Sequence, residues 1–407
     1  MSTLNKIVSA LHHSLPDLGF KSIAEESDLG WHYQSARALK NYGDYAAVCV
    51  RPSQGLRWIS KLVDGVPVVL APMIRLSPSK RLWKWSEVSP WLANYVAELS
   101  TKHGYVPYIH EYRALNSELI VRRLLGEEVP MVLQHHGSAP PRLKFSSSFG
   151  LVKDLSKIRR ERLLNKVRGA IFVLNEAEKK YLEDCLAVEA TVKVRTMAID
   201  FNRLKPVSDE ERMELKRSLK LPEDAVVLCT YVGVFREEFS TVKGAHLIAK
   251  IWKHVRSEVN ERSAMIVTGL GESVVNEMRR LGIKAYSFLP PEDYLRIVKA
   301  SDVYFLPATS AYYYGGIGVA IMEALALGKP VVSPTLIHLP ERECIKHVGF
   351  LTPFVDDERA LKIFVEGLEY VMRNLSSFKA ERIRQIAYKY YSWQSFVSDF
   401  RGALKGF

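Results

Sequence analysis

The chain has little cysteine and lacks any long apolar run. Its four cysteines, Cys49, Cys185, Cys229 and Cys344, lie far apart and form none of the close pairs that mark zinc sites or redox motifs. No stretch reaches the roughly 18 uncharged apolar residues of a membrane span, and the first residues lack the apolar core of a signal peptide. We therefore expect a cytoplasmic protein with reduced, buried thiols, without a membrane span or a standard secretion signal.

Acidic residues are also in short supply, and mainly in the first half. The chain carries a net charge of +12, and residues 1–205 hold 30 Lys and Arg against 20 Asp and Glu. Net charge reports association rather than fold, so nucleic acid, anionic lipid and phosphorylated substrates all remain candidate partners. No recognised nucleic-acid module occurs, so we expect no nucleic-acid partner.

A third absence concerns dinucleotides. A dinucleotide-dependent oxidoreductase needs Gly-x-Gly-x-x-Gly directly after a strand, with an acidic residue about 20 positions later. The chain contains no such arrangement. This argues against the oxidoreductase class although it leaves the fold open.

Short β-rich apolar runs alternate with helical patterns along the whole chain, which predicts an α/β fold with parallel sheets. The predicted strands are Lys6–Ala10, Ala46–Val50, Val68–Ala71, Tyr105–His110, Val129–Gln134, Ala170–Leu174, Val226–Val232, Ala264–Thr268, Ala285–Phe288, Val303–Leu306 and Pro330–Ser333. The polar segment Asp200–Pro222 separates two series, so we predict a boundary near Pro206. The expected domains are 1–205, 206–385 and a C-terminal helix, 386–407, that returns to the first.

Two Rossmann-like lobes facing across a cleft would bind ligands where the strands end. The run Gly315-Gly316-Ile317-Gly318-Val319 follows a predicted strand and opens a predicted helix. Glycines let a ligand approach the backbone, and a helix N-terminus favours a pyrophosphate. Glu323, about one and a half turns further on, could accept hydrogen bonds from ribose hydroxyls. Tight packing of a glycine loop explains the same run equally well.

This segment resembles the signature of the retaining GT-B glycosyltransferases called glycosyl transferases group 1, a large family that includes sucrose synthases. In that family two glutamates flank seven residues before an Ala-small-Gly-x-Pro-Val-Val run. Glu323 matches the second glutamate, which holds the ribose. Gly315 stands where the first glutamate contacts the donor sugar, so this position departs from the family.

Other segments of the second half follow the family's order. Gly233, Arg236 and Lys243 resemble the element whose arginine and lysine grip the donor diphosphate. Lys243 matches directly, whereas Arg236 sits two residues late in a lengthened loop. Gly269 resembles the glycine turn after the central strand, which the resemblance places at the base-binding wall.

The first half carries two further matches. Gly30 occupies the place of the family's glycine loop, without the usual paired glycines. His136, in His135-His136-Gly137 after an apolar strand, matches the histidine that contacts the transferred sugar, where an imidazole could donate a hydrogen bond to a hydroxyl. His135 is the weaker candidate. His110 closes the preceding strand and could contact the acceptor or anchor a loop.

The resemblance implies a retaining hexosyltransferase that takes a nucleotide diphosphate sugar as donor and needs no cofactor. No two aspartates are separated by one residue, so the Asp-x-Asp metal clamp of the other major glycosyltransferase fold is absent, and we expect a metal-independent reaction. A non-catalytic sugar-binding or regulatory protein of the same fold stays open, since Gly315 replaces a family glutamate.

The segment Arg75–Trp85 interleaves basic residues with Leu and two Trp before the helical pattern Trp91–Leu99, and a second basic run spans Lys153–Arg168. Tryptophan favours the headgroup level of a bilayer, and basic residues favour anionic lipid. These patterns suggest an anionic membrane surface as a partner, a lipid-linked glycan acceptor and a peripheral location at the inner face of the membrane. Packing inside the domain is the alternative for both tryptophans.

Overall fold

The structure is a computed structural model that describes residues 5–14, 30–77, 86–136, 148–233, 243–259, 261–310, 313, 315–334 and 342–405. The chain divides into two compact units. The first unit is Met1–Ala198 with Trp393–Phe407, and the second is Ile199–Ser392. Within the described ranges, no helix is long and apolar enough to cross a membrane.

The first unit is built on one large sheet. Its strands are β1 (Lys6–Leu11), β2 (Ala46–Pro52), β3 (Ile59–Val63), β4 (Val66–Ala71), β7 (Tyr105–His110), β8 (Met131–Gln134), β9 (Gly169–Val173) and β10 (Thr191–Val194), while β5 (Ile74–Arg75) and β6 (Glu87–Val88) pair separately. The order is β10-β9-β8-β7-β1-β2-β4-β3, and every pair is parallel except β3 with β4. Strand β1 therefore lies between β2 and β7, and the strand order reverses between β1 and β7.

Helices cover both faces of this sheet, so its central strands are apolar on both sides. They are α1 (Trp31–Gly43), α2 (Pro90–His103), α3 (Leu115–Gly126), α4 (Ser148–Leu164) and α5 (Glu176–Lys180). Helix α2 shows why these boundaries form: Ser89 caps the Leu92 N–H, Pro90 opens the first turn, and Gly104 ends it at φ 70°.

The second unit has its own parallel sheet. Its strands are β11 (Val226–Tyr231), β12 (Ser263–Thr268), β13 (Lys284–Ala285), β14 (Val303–Phe305), β15 (Val331–Pro334) and β16 (Gly349–Thr352). The order β13-β12-β11-β14-β15-β16 is the doubly wound 3-2-1-4-5-6 order of the Rossmann fold. The strand order reverses between β11 and β14.

Helices again flank both faces of the second sheet. They are α6 (Asp209–Ser218), α7 (Ile248–His254), α8 (Glu272–Arg280), α9 (Pro291–Ala300), α10 (Val319–Ala326), α11 (Arg342–Val348), α12 (Asp357–Arg373) and α13 (Ala380–Tyr391). The last helix, α14 (Trp393–Leu404), belongs to the first unit, where Trp393 and Phe400 join its core.

The α/β class and each predicted strand are confirmed, although the strand predicted at Ala285–Phe288 is only Lys284–Ala285. The structure divides the chain at 198/199 and 392/393, rather than at 205/206 and 385/386. The reason is packing: Phe201, Leu204 and Tyr391 lie in the core of the second unit. Strands β3, β5, β6, β10 and β16 were not predicted.

Candidate functional site

The second unit places its candidate residues where β11 and β14 lie side by side. Gly233 follows β11, and Gly244 opens the next helical segment at φ 74°. A Cβ on Gly244 would lie 1.7 Å from the Pro307 carbonyl oxygen, beyond the end of β14. Only glycine lets these two connections meet, and open α/β sheets bind ligands at this point of strand reversal.

Tyr231, the last residue of β11, is the centre of this arrangement. The Lys243 Nζ lies 5.3 Å from its ring centroid. A Cβ on Gly269 would approach Tyr231 Cε2 to 2.7 Å, and one on Gly233 would approach Lys243 Nζ to 2.7 Å. The two glycines therefore leave space for the tyrosine ring and the ammonium group above it.

Lys243 is a partly buried cation. Burial lowers its pKa to about 8. Within the part of the chain that the structure describes, Lys243 forms no ion pair and its Nζ donates no side-chain hydrogen bond. A desolvated ammonium over the last residue of β11 is suited to an anionic ligand, which would restore the interactions that burial removes.

Glu323 is the matching partly buried carboxyl group, on α10. Burial raises its pKa to about 8, against a smaller opposing effect of Arg203. Burial raises the pKa of Tyr231, and the charge of Glu323 raises it further, so the carboxyl group lies within electrostatic range of the tyrosine. Lys243 packs over the Tyr231 ring, and Glu323 acts on the same residue through its charge.

The predicted glycine run opens α10 as expected. Gly318 is the N-cap at φ 73° and ψ 143°, and nothing lies within 4 Å of the position a Cβ would take. Ile317 is buried and anchors the turn, while Val319 begins the helix. The helix therefore starts from an open backbone whose first N–H groups and positive dipole end favour an anion.

The structure brings Gly233, Lys243, Gly269 and Glu323 together around Tyr231, with Gly315, Gly316, Ile317, Gly318 and Val319 leading into the helix of Glu323. Arg236 lies outside the described residues. The role of Tyr231 was not predicted from the sequence. This residue falls within the predicted strand Val226–Val232, and nothing in its spacing distinguishes it from the other strand residues.

In the first unit, His136 follows β8 and lies beside His110, the last residue of the neighbouring strand β7. Its Nε2 is 3.1 Å from Nδ1 of His110, and the two rings are stacked with their centroids 5.3 Å apart. Trp31 covers it, with ring centroids 4.7 Å apart, and is 41% exposed. Gly30 precedes this tryptophan in ordinary extended backbone, so its position and not its φ makes it relevant.

The hydrogen-bond partners of this pair indicate one tautomer for each ring. The Ser9 hydroxyl donates its single proton to the His32 carbonyl, at 3.0 Å, so toward His110 Nε2, at 3.1 Å, it accepts. Burial, followed by nearby histidines, lowers the pKa of His110 well below its usual value, so the ring is neutral and its Nδ1 has no proton. His136 must then donate from Nε2.

A neutral His136 in this tautomer carries its lone pair on Nδ1. The group that meets Nδ1 therefore donates a hydrogen bond, and donation from Nδ1 requires the protonated ring. The sequence suggested donation by His136, and it left His110 with two alternatives. Both histidines follow predicted strands, and this shared position is the sequence feature that could have indicated their contact.

His135 belongs to a different, buried network. Its Nδ1 contacts the Glu178 carboxylate, and its Nε2 lies 3.6 Å from Oε1 of Glu111. Arg113 pairs with Glu161 at 2.7 Å in the same cluster. These groups neutralise one another inside the unit, which favours a structural role.

No group of three or more His, Cys, Asp or Glu side chains could hold a metal ion in the portion that the structure describes.

Comparison with known proteins adds to this geometry. Residues 227–368 match the family model described as glycosyl transferases group 1. No curated protein matches the chain in sequence.

Solved structures match nearly the whole chain. Sucrose-phosphate synthase from Thermosynechococcus elongatus is 14% identical, with a TM-score of 0.67 and coverage of 98% of both chains. The Anabaena protein HepE in complex with UDP is 17% identical, with a TM-score of 0.64 and coverage of 99% and 100%. The UDP-forming α,α-trehalose-phosphate synthase from Burkholderia xenovorans is 10% identical, with a TM-score of 0.65 and coverage of 98% and 100%.

Two α/β units that match these structures define the GT-B fold. The part that matches the glycosyl transferases group 1 model, residues 227–368, lies within the second of these units.

Proposed function

We propose that the protein transfers a sugar from a UDP-sugar to an acceptor hydroxyl, with retention of configuration and without a metal ion. The observation that carries this proposal is the partly buried Lys243 ammonium against the Tyr231 ring, at the strand reversal of a domain that matches the family model, where α10 carries the buried carboxyl group of Glu323. The choice of UDP is supported by the structural neighbours, one bound to UDP and one described as UDP-forming.

Lys243 is proposed to meet the diphosphate, together with the first N–H groups of α10. Both interactions strengthen as the bond from the anomeric carbon to the diphosphate oxygen breaks and that oxygen takes the electron pair. The acceptor oxygen bonds to the anomeric carbon from the same face, and its proton passes to the departing diphosphate. Glu323, as a carboxylate, would accept hydrogen bonds from the ribose hydroxyls.

His136, paired with His110 beside the exposed Trp31, is proposed to position the transferred sugar or the acceptor through its imidazole ring. Ser9 and His110 hold the orientation of that ring. Positioning of this kind contributes through orientation and not through covalent chemistry. Trp31, exposed next to the same ring, supplies an aromatic face of the type on which sugar rings pack.

The test is a panel of nucleotide sugars in which nucleotide diphosphate release is measured with and without EDTA. We expect release from a UDP-sugar, unaffected by EDTA, and a product whose anomeric proton coupling matches that of the donor. Lys250→Glu, an exposed change in the same unit, serves as a control. Release from no member of the panel, or inversion at the anomeric carbon, would contradict the proposal.

Gly315 supports a second candidate, a non-catalytic nucleotide-sugar-binding protein. This position lacks the carboxylate that holds the donor sugar in the family, so the donor could bind without turnover. UDP-sugar binding without any diphosphate release, across a broad set of acceptors, would favour this candidate over the first.

The proposed acceptor is a lipid-linked glycan, and the proposed location is peripheral at the cytoplasmic face of a membrane. The net charge of the first half supports it. The run Lys153–Arg168 supports it less than its composition suggests, because Arg159 and Arg160 both pair with Glu118, at 2.8 and 2.9 Å. Residues 78–85, which hold most of the other basic run, lie outside the described part of the chain.

A further inference from the structure

One edge of the first unit exposes large apolar side chains. Leu56, Trp58, Leu62, Ile74, Leu76 and Trp91 are between 37% and 71% exposed, and we call them the apolar edge surface. A groove of about 720 Å³ runs among Leu56, Trp58, Ile74 and Trp91. Contiguous exposed apolar area of this kind marks an interaction site on a water-soluble protein.

The fold places these residues on one side of the sheet. In the antiparallel pair, Ile59, Lys61 and Val63 lie opposite Leu70, Val68 and Val66, which face the core, so Leu62 projects to the other side. Trp58 is held on that other side by the Tyr95 ring of α2, with centroids 5.3 Å apart. The tryptophan is therefore fixed on one face and 48% exposed on the other.

The charges on the same edge decide between occupants. Arg57 and Lys61 are exposed, and neither forms an ion pair within the described residues. Strand β3 ends the sheet, so a second copy of the chain could add its own β3 there. A lysine in the middle of an edge strand opposes such pairing, because it brings like charges together. Arg57, which is next to Trp58 in the chain, attracts an anionic surface.

We propose that the apolar edge surface docks on an anionic lipid bilayer, with Trp58 and Trp91 at the headgroup level and Arg57 against lipid phosphates. The proposal deepens the acceptor part of the proposed function and is independent of the donor chemistry. Tryptophan concentrates at this level of a bilayer, and each basic residue near anionic lipid strengthens binding by roughly fivefold.

The experiment is vesicle co-sedimentation of the full chain, using phosphatidylcholine alone and equal parts of phosphatidylcholine and phosphatidylglycerol. Two variants disrupt the surface at exposed positions: Leu56→Ser with Leu62→Ser, and Arg57→Glu. Two controls make like changes on the second unit: Leu281→Ser, and Lys250→Glu with Lys253→Glu.

We expect binding only to the anionic vesicles, loss of binding in high salt, and at least a tenfold weaker binding constant for both surface variants but not for the controls. Absence of sedimentation at low salt overturns the proposal, as does equal binding by the surface variants. Lipid-independent dimers that dissociate in Leu56→Ser with Leu62→Ser would instead assign the face to a second copy. UDP-sugar turnover on a water-soluble acceptor is measured in parallel, so failure of docking is distinguished from failure of the donor chemistry.

Discussion

UDP-sugar binding should release protons below pH 8 and take up protons above pH 8. The perturbation is pH itself, and the two groups concerned are Glu323 and Lys243, whose pKa values burial sets at about 8 in the free protein. The ribose hydroxyls require the Glu323 carboxylate, so binding removes its proton. The diphosphate requires the Lys243 ammonium, so binding retains or adds a proton.

The size of the effect follows from the two pKa values. At pH 7 about nine-tenths of Glu323 is protonated, so binding releases about 0.9 proton there and Lys243 takes up about 0.1. At pH 9 the two contributions exchange, and at pH 8 they cancel. The binding constant should therefore be greatest near pH 8, about threefold smaller at pH 7 and pH 9, and about 25-fold smaller at pH 6.

Isothermal titration calorimetry in two buffers of different ionisation enthalpy measures the proton count directly. A UDP-sugar is the appropriate ligand, because its diphosphate diester does not titrate in this range. Glu323→Gln should flatten only the acid limb, and Lys243→Met only the alkaline limb. A flat profile in the wild type, or an acid limb that survives Glu323→Gln, would refute the assignment of these two residues to the ligand.

Three further predictions follow from the same contacts. Lys243→Met should lower turnover at least a hundredfold yet raise the melting temperature at pH 7 in a thermal scan. The pKa of Lys243 is about 8 in the folded protein and 10.5 in the unfolded chain, so the contribution of this residue to stability grows only as the pH rises from 8 to 10.5. Turnover that survives, together with a lower melting temperature, would make Lys243 structural. Gly233→Ala should weaken UDP binding about tenfold in calorimetry, because the added Cβ would lie 2.7 Å from the Lys243 Nζ and the φ of 58° disfavours a side chain. Unchanged affinity would show that Gly233 does not determine the position of Lys243 for UDP binding. Ser9→Ala should lower turnover about tenfold and shift the His136 signals in ¹⁵N-histidine NMR toward a mixture of tautomers. An unaltered spectrum would show that Ser9 does not set the tautomer of His136 through His110.

The sequence predicted the parts of the donor site that carry local signals. Strand, glycine and helix follow one another at Gly315–Val319, and this order alone indicated an anion-binding helix start. Lys243 and Glu323 were marked by the resemblance to the family. Their common neighbour Tyr231 was not, because only the order of β11 and β14 brings the two connections together.

The hydrogen-bonded row of Ser9, His110 and His136 also could not be predicted from the sequence. Ser9, His110 and His136 come from three different segments, and β1, β7 and β8 lie side by side in an order that sequence periodicity does not specify. The edge strand β3 was missed for a different physical reason. Its residues are almost all exposed, so it lacks the alternation of apolar and polar residues by which a half-buried strand is recognised.

We infer that the strand reversal of the second unit binds and activates a UDP-sugar. The rate of UDP release by the wild type, by Glu323→Ala, by Lys243→Met and by the exposed control Lys250→Glu, with binding measured alongside, tests this inference most directly. We expect release by the wild type and the control, UDP binding weaker by about 1–3 kcal/mol in Glu323→Ala, and release lowered at least a hundredfold in Lys243→Met. Wild-type release and affinity in both site variants would contradict it.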